Sequence, residues 1–392
     1  MADRSASGCS TPGSRLAARA GAAVAALALA VGLSSAAAPA GLSGTAAPAD
    51  SGTLRESEWA LTALKAEQAW ETTRGEGVTV AVIGTGVDAS HPDLAGRVVG
   101  GKDADGAHDE GSAAVQGTHA AGVIAGTGRN YDGHGLLGLA PQAHVLPFRV
   151  YRDNTAPTAA TAQSITDAAR RGADVIDVTV AFLRPSDDLR RAVEFAADRN
   201  ALVVAGAGDT GRTNDAQTYP AAYPGVLSVA AVDKKGALWP GSHHGKDVDL
   251  AAPGVDILTT ARNHDYWTGS GTALAASWVA GSAALLRSEH PKWTVEQVTR
   301  ALTGTAAGHG KARWNARYGW GAVAPAAALA QRAVPSGSVP APPNERAADT
   351  DSRTSSDTGP ALVVLAVTAA MFVLAVIAWF LIRRSVTPSD DD

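Results

Sequence analysis

Ala273 stands in the run Gly271-Thr272-Ala273-Leu274-Ala275-Ala276-Ser277-Trp278-Val279-Ala280-Gly281, with Ser277 within it and Ser270 just before it. Either hydroxyl could in principle attack a carbonyl carbon; the methyl of Ala273 cannot. Upstream lie an imidazole at His119 and carboxylates at Asp88, Asp93 and Asp209. Amide hydrolysis on a serine needs a nucleophile, a base to take its proton, a carboxylate to orient that base, and donors for the oxyanion. The residue types are present, so position must decide. A further cluster, Asp103, Asp105, Asp109 and Glu110, is acidic enough to suggest calcium. It lacks the spacing of a twelve-residue calcium loop. A solvated loop is expected there, with no metal and no cofactor.

Holding such residues in place requires a framework. Short apolar runs occur at 78–83, 145–150, 174–180, 202–205 and 227–232, with helical patterns between them at 161–171 and 187–199. Strands apolar on both faces, alternating with helices, predict an α/β fold with a parallel β-sheet flanked by helices on both faces. Functional loops should gather at the carboxyl ends of its strands. This domain is expected to span 56–332.

The ends read differently. Arg4, Arg15 and Arg19, then an apolar run at 21–33 and small residues, predict a signal peptide over 1–40 with cleavage after Ala40. The single cysteine, Cys9, falls inside it, so the mature domain can form no disulfide. Residues 41–55 are expected to be an N-terminal linker. Residues 333–360, rich in Pro, Ser and charge, predict an extended tether. Residues 361–382 are an unbroken apolar stretch, long enough at about 1.5 Å per residue to cross a bilayer core as a transmembrane helix. Arg383 and Arg384 follow, which predicts a cytoplasmic tail at 383–392 and an extracellular main domain on a single-pass cell-membrane protein. A net charge of −5 and the lack of a long basic run give no sign of nucleic-acid binding.

Six phrases, in order, resemble the subtilisin-like serine proteases. They are Val80 to Asp88, Gly117-Thr118-His119-Ala120-Ala121-Gly122, Val203 to Gly208, Tyr223-Pro224-Gly225-Val226, Asp249 to Gly254, and Tyr318-Gly319-Trp320-Gly321, with the 271–281 run between the last two. The resemblance implies a subtilisin-like fold. Signal peptide, protease-like domain, proline-rich linker and terminal membrane helix together resemble the mycosins, membrane-tethered members associated with type VII secretion.

The resemblance also exposes four departures. Where the family carries its aspartate, this chain has Gly84; where it carries the catalytic histidine, Gln116; where it carries the nucleophilic serine, Ala273; and where it carries the oxyanion-binding asparagine, Asp209. Glycine cannot orient an imidazole, and an amide cannot act as a base near neutral pH. An ionised Asp209 about 3 Å from an oxyanion would repel it by roughly 5 kcal/mol at an effective dielectric near 20. Asp88 and His119 match residues that stand beside the catalytic ones in the family pattern, so neither is a substitute; His119 is expected to be a packed helix residue. Ser277 lies one helical turn, about 6 Å, from the nucleophile place, far beyond the misplacement that attack tolerates. It is expected to be a helix-surface or packing serine.

The resulting expectation is a pseudopeptidase: a catalytically inactive, membrane-anchored ectodomain acting through protein partners, in a type VII secretion complex. The alternative is a serine endopeptidase with a rearranged site using Ser270 or Ser277. A third possibility is a decoy that binds extended peptides along Thr179-Val180-Ala181, which stands where the family has the substrate-pairing edge strand.

Overall fold

Nine strands and the helices between them make up the computed structural model, which describes residues 43–46, 54, 57–100, 115–151, 155–308 and 313–331. In chain order the main elements are β1 (Ser43–Ala46), α1 (Trp59–Ala63), α2 (Ala66–Trp70), β2 (Thr79–Gly84), α3 (Val115–Ala125), β3 (His144–Arg149), α4 (Thr158–Arg170), β4 (Val175–Val178), α5 (Asp187–Asp198), β5 (Leu202–Gly206), β6 (Val226–Val232), β7 (Leu250–Pro253), β8 (Ile257–Thr260), β9 (Tyr266–Ser270), α6 (Thr272–Glu289), α7 (Val295–Thr305) and α8 (Pro325–Leu329). The expected signal peptide (1–40), the acidic cluster at 103–110, the tether (333–360), the transmembrane segment (361–382) and the tail (383–392) lie outside the described residues. Among the described residues no helix is long and apolar enough to cross a membrane. Within the stretch expected to be a plain linker, Ser43–Ala46 forms β1 and pairs antiparallel with β9, Ser43 opposite Ser270.

The sheet predicted from the apolar runs is present, with strand order β3-β2-β4-β5-β6-β7 and every pairing parallel. Its strands alternate strictly. Val80 and Val82 of β2 and Leu202 and Val204 of β5 face a layer containing α3 and α6. Ala81 and Ile83, Val203 and Ala205 face the opposite layer, built on Ile165 of α4 and Leu189 and Val193 of α5. Both faces are covered, which is why these strands read as continuous apolar runs. Each fully buried Val, Leu or Ile contributes about 1.5–3 kcal/mol.

Helix α6 is buried from Thr272 to Arg287. Such a helix needs no polar face; its alanines let α3 and the sheet approach closely, and Gly281 packs against Leu139. Amphipathic α5 instead begins at the N-cap Ser186, with Asp187 and Asp188 in its first turn facing the positive end of the helix dipole. A second, three-stranded sheet, β1-β9-β8, leads the chain from β7 into the start of α6.

One buried carboxylate fastens the loops near β9. Asp93, with no exposed surface, accepts from the Asn130 N–H (2.8 Å), the Leu136 N–H (2.9 Å) and the Tyr266 hydroxyl (2.6 Å). Asp93→Ala would strand all three donors and is expected to cost about 2–4 kcal/mol. The shift of the urea midpoint in equilibrium unfolding measures it.

Candidate functional site

The four departing positions gather at the carboxyl ends of the parallel strands, on either side of β4. Gly84 ends β2. Gln116 is in the first turn of α3, whose next residue, Gly117, donates its N–H to Thr85 Oγ1 at 3.0 Å. A side chain at 117 would run into the carbonyl of Gly86, so glycine is required for the helix to sit this close. Across β4, Asp209 follows β5, and Ala273 lies in the first turn of α6, 8% exposed. Gly206 packs against Thr272 and Ala273 with no room for a Cβ.

The space at Gly84 is occupied. A Cβ there would fall well inside contact distance of Thr179 Oγ1. That hydroxyl donates to the Ile83 carbonyl at 3.0 Å, and the Thr179 N–H reaches the same oxygen at 3.0 Å. Thr179 thus prolongs the β2–β4 ladder by one residue and takes the volume that a longer residue 84 would need.

Asp209 is committed in a different way. Its Oδ1 accepts the Thr272 N–H at 2.9 Å and the Thr272 hydroxyl at 2.8 Å. The first N–H groups of a helix have no partner within the helix and carry its positive dipole end, so this carboxylate caps α6. Burial raises its pKa, and the two bonds from Thr272 oppose that rise. The loop that carries it is clasped. His243 N–H donates to the Gly208 carbonyl at 2.7 Å, while its ring lies 2.9 Å from Asp215 and 3.2 Å from Asp247. Burial works against the imidazolium there, but the two carboxylates win and hold the His243 pKa above its ordinary value.

The remaining candidates are engaged elsewhere. His119 is 1% exposed and stacked on Trp267 at 4.1 Å, with neither ring nitrogen hydrogen-bonded among the described residues. Burial alone pushes its pKa down to about 3. Asp88 accepts from the Ser90 N–H and hydroxyl and from the Asn263 N–H; burial pushes its pKa up, but these bonds outweigh it and leave the carboxylate below its usual range. The exposed Ser90 lies 3.4 Å from His264 Nε2, yet its proton already goes to Asp88 at 2.6 Å. Ser270 Oγ accepts the Asp256 N–H at 3.0 Å. Ser277 has no exposed surface, and its Oγ is hydrogen-bonded to Asp177 at 2.7 Å. No imidazole bonds Ser270 or Ser277 among the described residues.

Thr179, Val180 and Ala181, the expected substrate-pairing segment, do not form an edge strand of the sheet. They follow β4, which lies between β2 and β5 in the interior of the sheet order. The segment is non-strand, its first residue tied to β2 and its next neighbour, Phe182, paired with Tyr219 by two 2.8 Å bonds. Thr179 and Val180 are buried, and Ala181 is half-buried. Asp177 was missed altogether, although an aspartate inside the apolar run 174–180 is a visible break in the pattern.

Comparison with known proteins places the chain. The sequence model described as "Subtilase family" matches residues 75–321, so the chain belongs to the subtilase family. It is 37% identical over 262 residues to thermitase of Thermoactinomyces vulgaris, covering 64% of this chain and 92% of thermitase. Among solved structures it resembles MycP1, a serine protease described as an essential component of the type VII (ESX-1) secretion system. That match has a TM-score of 0.63 and 30% identity, over 76% of this chain and 93% of that one. MycP3 protease from the type VII (ESX-3) secretion system matches with a TM-score of 0.60 and 30% identity, over 74% and 91% of the two chains.

Two results test this geometry. Gly84→Ala is expected to cost about 1–3 kcal/mol by overpacking. Thr179→Ala should remove most of that cost, giving a clear coupling energy in a double-mutant cycle. For His119, the unfolded imidazole binds a proton near pH 6.5 while the folded one does so only near 3. Its contribution is therefore whole above about pH 6.5 and lost as pH falls towards 3. His119→Phe should flatten that part of the stability–pH profile in urea unfolding.

Proposed function

We propose that this subtilase is a catalytically inactive, membrane-tethered ectodomain that acts by binding partner proteins in a type VII-like secretion assembly. One observation carries the reading. At the start of α6, where hydrolysis needs a nucleophile beside oxyanion donors, stand a methyl group, Ala273, and a carboxylate, Asp209, that accepts the first helical N–H. Peptide cleavage builds negative charge at that place, and a preorganised acceptor opposes it where preorganised donors would stabilise it. Gly84 and Gln116 point the same way, since neither glycine nor a neutral amide can move or stabilise a proton.

The intact scaffold supports an interaction role. The sheet, the close-packed α6 and the capped helix ends all remain, so the chain keeps a defined surface without the chemistry. Secretion partners are proposed because two of the structures it resembles are described as parts of such systems. Anchoring rests on the apolar run 361–382 and on Arg383 and Arg384, which put the described domain outside the membrane and the tail inside.

A serine-directed phosphonate tests the chemical half. The native chain is expected to take no label under conditions that label an active relative, and label on Ser270 or Ser277 would support the rearranged-site reading. A chain carrying Gly84→Asp, Thr179→Ala, Gln116→His, Asp209→Asn and Ala273→Ser is the informative control. The Thr179 change is included because its hydroxyl fills the space the restored aspartate needs. For the partner half, detergent extraction should yield the chain together with secretion components; recovery without any would count against that assignment.

A further inference from the structure

One pair of side chains in the core lies outside the four departing positions. Asp177 lies in the middle of β4 with no exposed surface, in register with Val82 of β2 and Val204 of β5. It is on the face that meets α6. Its Oδ2 is 2.7 Å from Ser277 Oγ, and its Oδ1 has no hydrogen-bond partner among the described residues. Ser277 Oγ is also 3.1 Å from the carbonyl of Ala273, one helical turn back.

Counting hydrogens decides the state of this pair. Ser277 has one hydroxyl hydrogen and two acceptors within reach. An ionised Asp177 would take that hydrogen, leave the contact to Ala273 empty, and bury a negative charge supported by a single bond. A protonated Asp177 makes both contacts at once: Asp177 Oδ2–H donates to Ser277 Oγ, and Ser277 Oγ–H donates to Ala273 O. The neutral arrangement uses every hydrogen and buries no unpaired charge.

We propose that Asp177 and Ser277 form a proton-holding pair that fastens β4 to the first turns of α6, and that ionising the pair empties its contact to Ala273, leaves a buried charge on one bond and so weakens the fold. The pair reaches the turn that carries Ala273 and begins one residue from the cap at Asp209, so its state bears on the rigidity of the candidate site without any need for catalysis. Burial drives the Asp177 carboxyl up to about 7, with the Ser277 bond opposing the rise. Among the described residues no other charge stands against it. β2 and β5 contain no ionisable residue, and α6 has only Arg287 and Glu289, ten or more residues further along. The other ionisable groups around this end of the core are Asp209, held by Thr272, and neutral His119 on α3, stacked on Trp267.

The sign follows from proton linkage. The unfolded carboxyl loses its proton near pH 4 and the folded one near 7. The pair's contribution is whole below about pH 4 and is lost as pH rises towards 7, opposite in direction to that of His119. The test is equilibrium urea unfolding of the full chain from pH 4.5 to 8 (buffer conditions set at about these values), comparing wild type with Asp177→Asn and following tryptophan fluorescence. The difference between the two cancels His119 and the other groups. It is expected to fall with rising pH at a slope of about one proton released on unfolding near pH 6; a difference independent of pH would overturn the proposal. Should Asp177→Asn not fold, infrared spectroscopy of the native chain at mildly acidic pH supplies the second reading. A protonated-carboxyl band that moves in Ser277→Ala is expected, and a spectrum with no such band, or one unmoved by that change, would overturn it.

Discussion

The structure depends on burying one helix almost all round. α6 runs through the core with its side chains covered from Thr272 to Arg287, so it has no solvent to satisfy the backbone N–H groups at its start. A buried helix end without partners is costly, and the residues around it answer that need. Asp209 caps the first N–H, the clasp at His243 steadies the loop that carries Asp209, and Gly206 clears room for Thr272 and Ala273. Further along, Ser277 ties the helix to β4 through Asp177.

Under that constraint the residues at 84 and 209 have structural uses. The carboxylate at 209 serves helix α6 directly. The absent side chain at 84 makes room for the Thr179 hydroxyl, which strengthens the join between β2 and β4. A longer side chain at 84 alone would meet the Thr179 hydroxyl that fills its space. At the sheet's carboxyl edge the Thr179 hydroxyl and Asp209 Oδ1 are both engaged with neighbouring backbone.

The sheet was legible in the sequence because strands covered on both faces leave continuous apolar runs, and five of the six parallel strands stand within a residue or two of those runs. The order of the family phrases located Gly84, Gln116, Asp209 and Ala273, and chain geometry gathered them at one end of the sheet. Interactions between distant residues were not legible. Thr179 and Gly84 meet only through the pairing of β2 with β4, and Asp177 and Ser277 are 100 positions apart. β1 was hidden because its pairing with β9 is made by backbone groups, which composition does not reveal. That the segment at 179–181 follows an interior strand was not legible either, because a phrase match carries no information on which strands lie to either side.

Peptide turnover by the purified native chain is the most direct test of the account. No cleavage should be detected over a range of pH, and Ser270→Ala and Ser277→Ala should leave that result unchanged. Cleavage by the native chain, abolished by replacing a single residue at the start of α6 or beside Gly84, would contradict it.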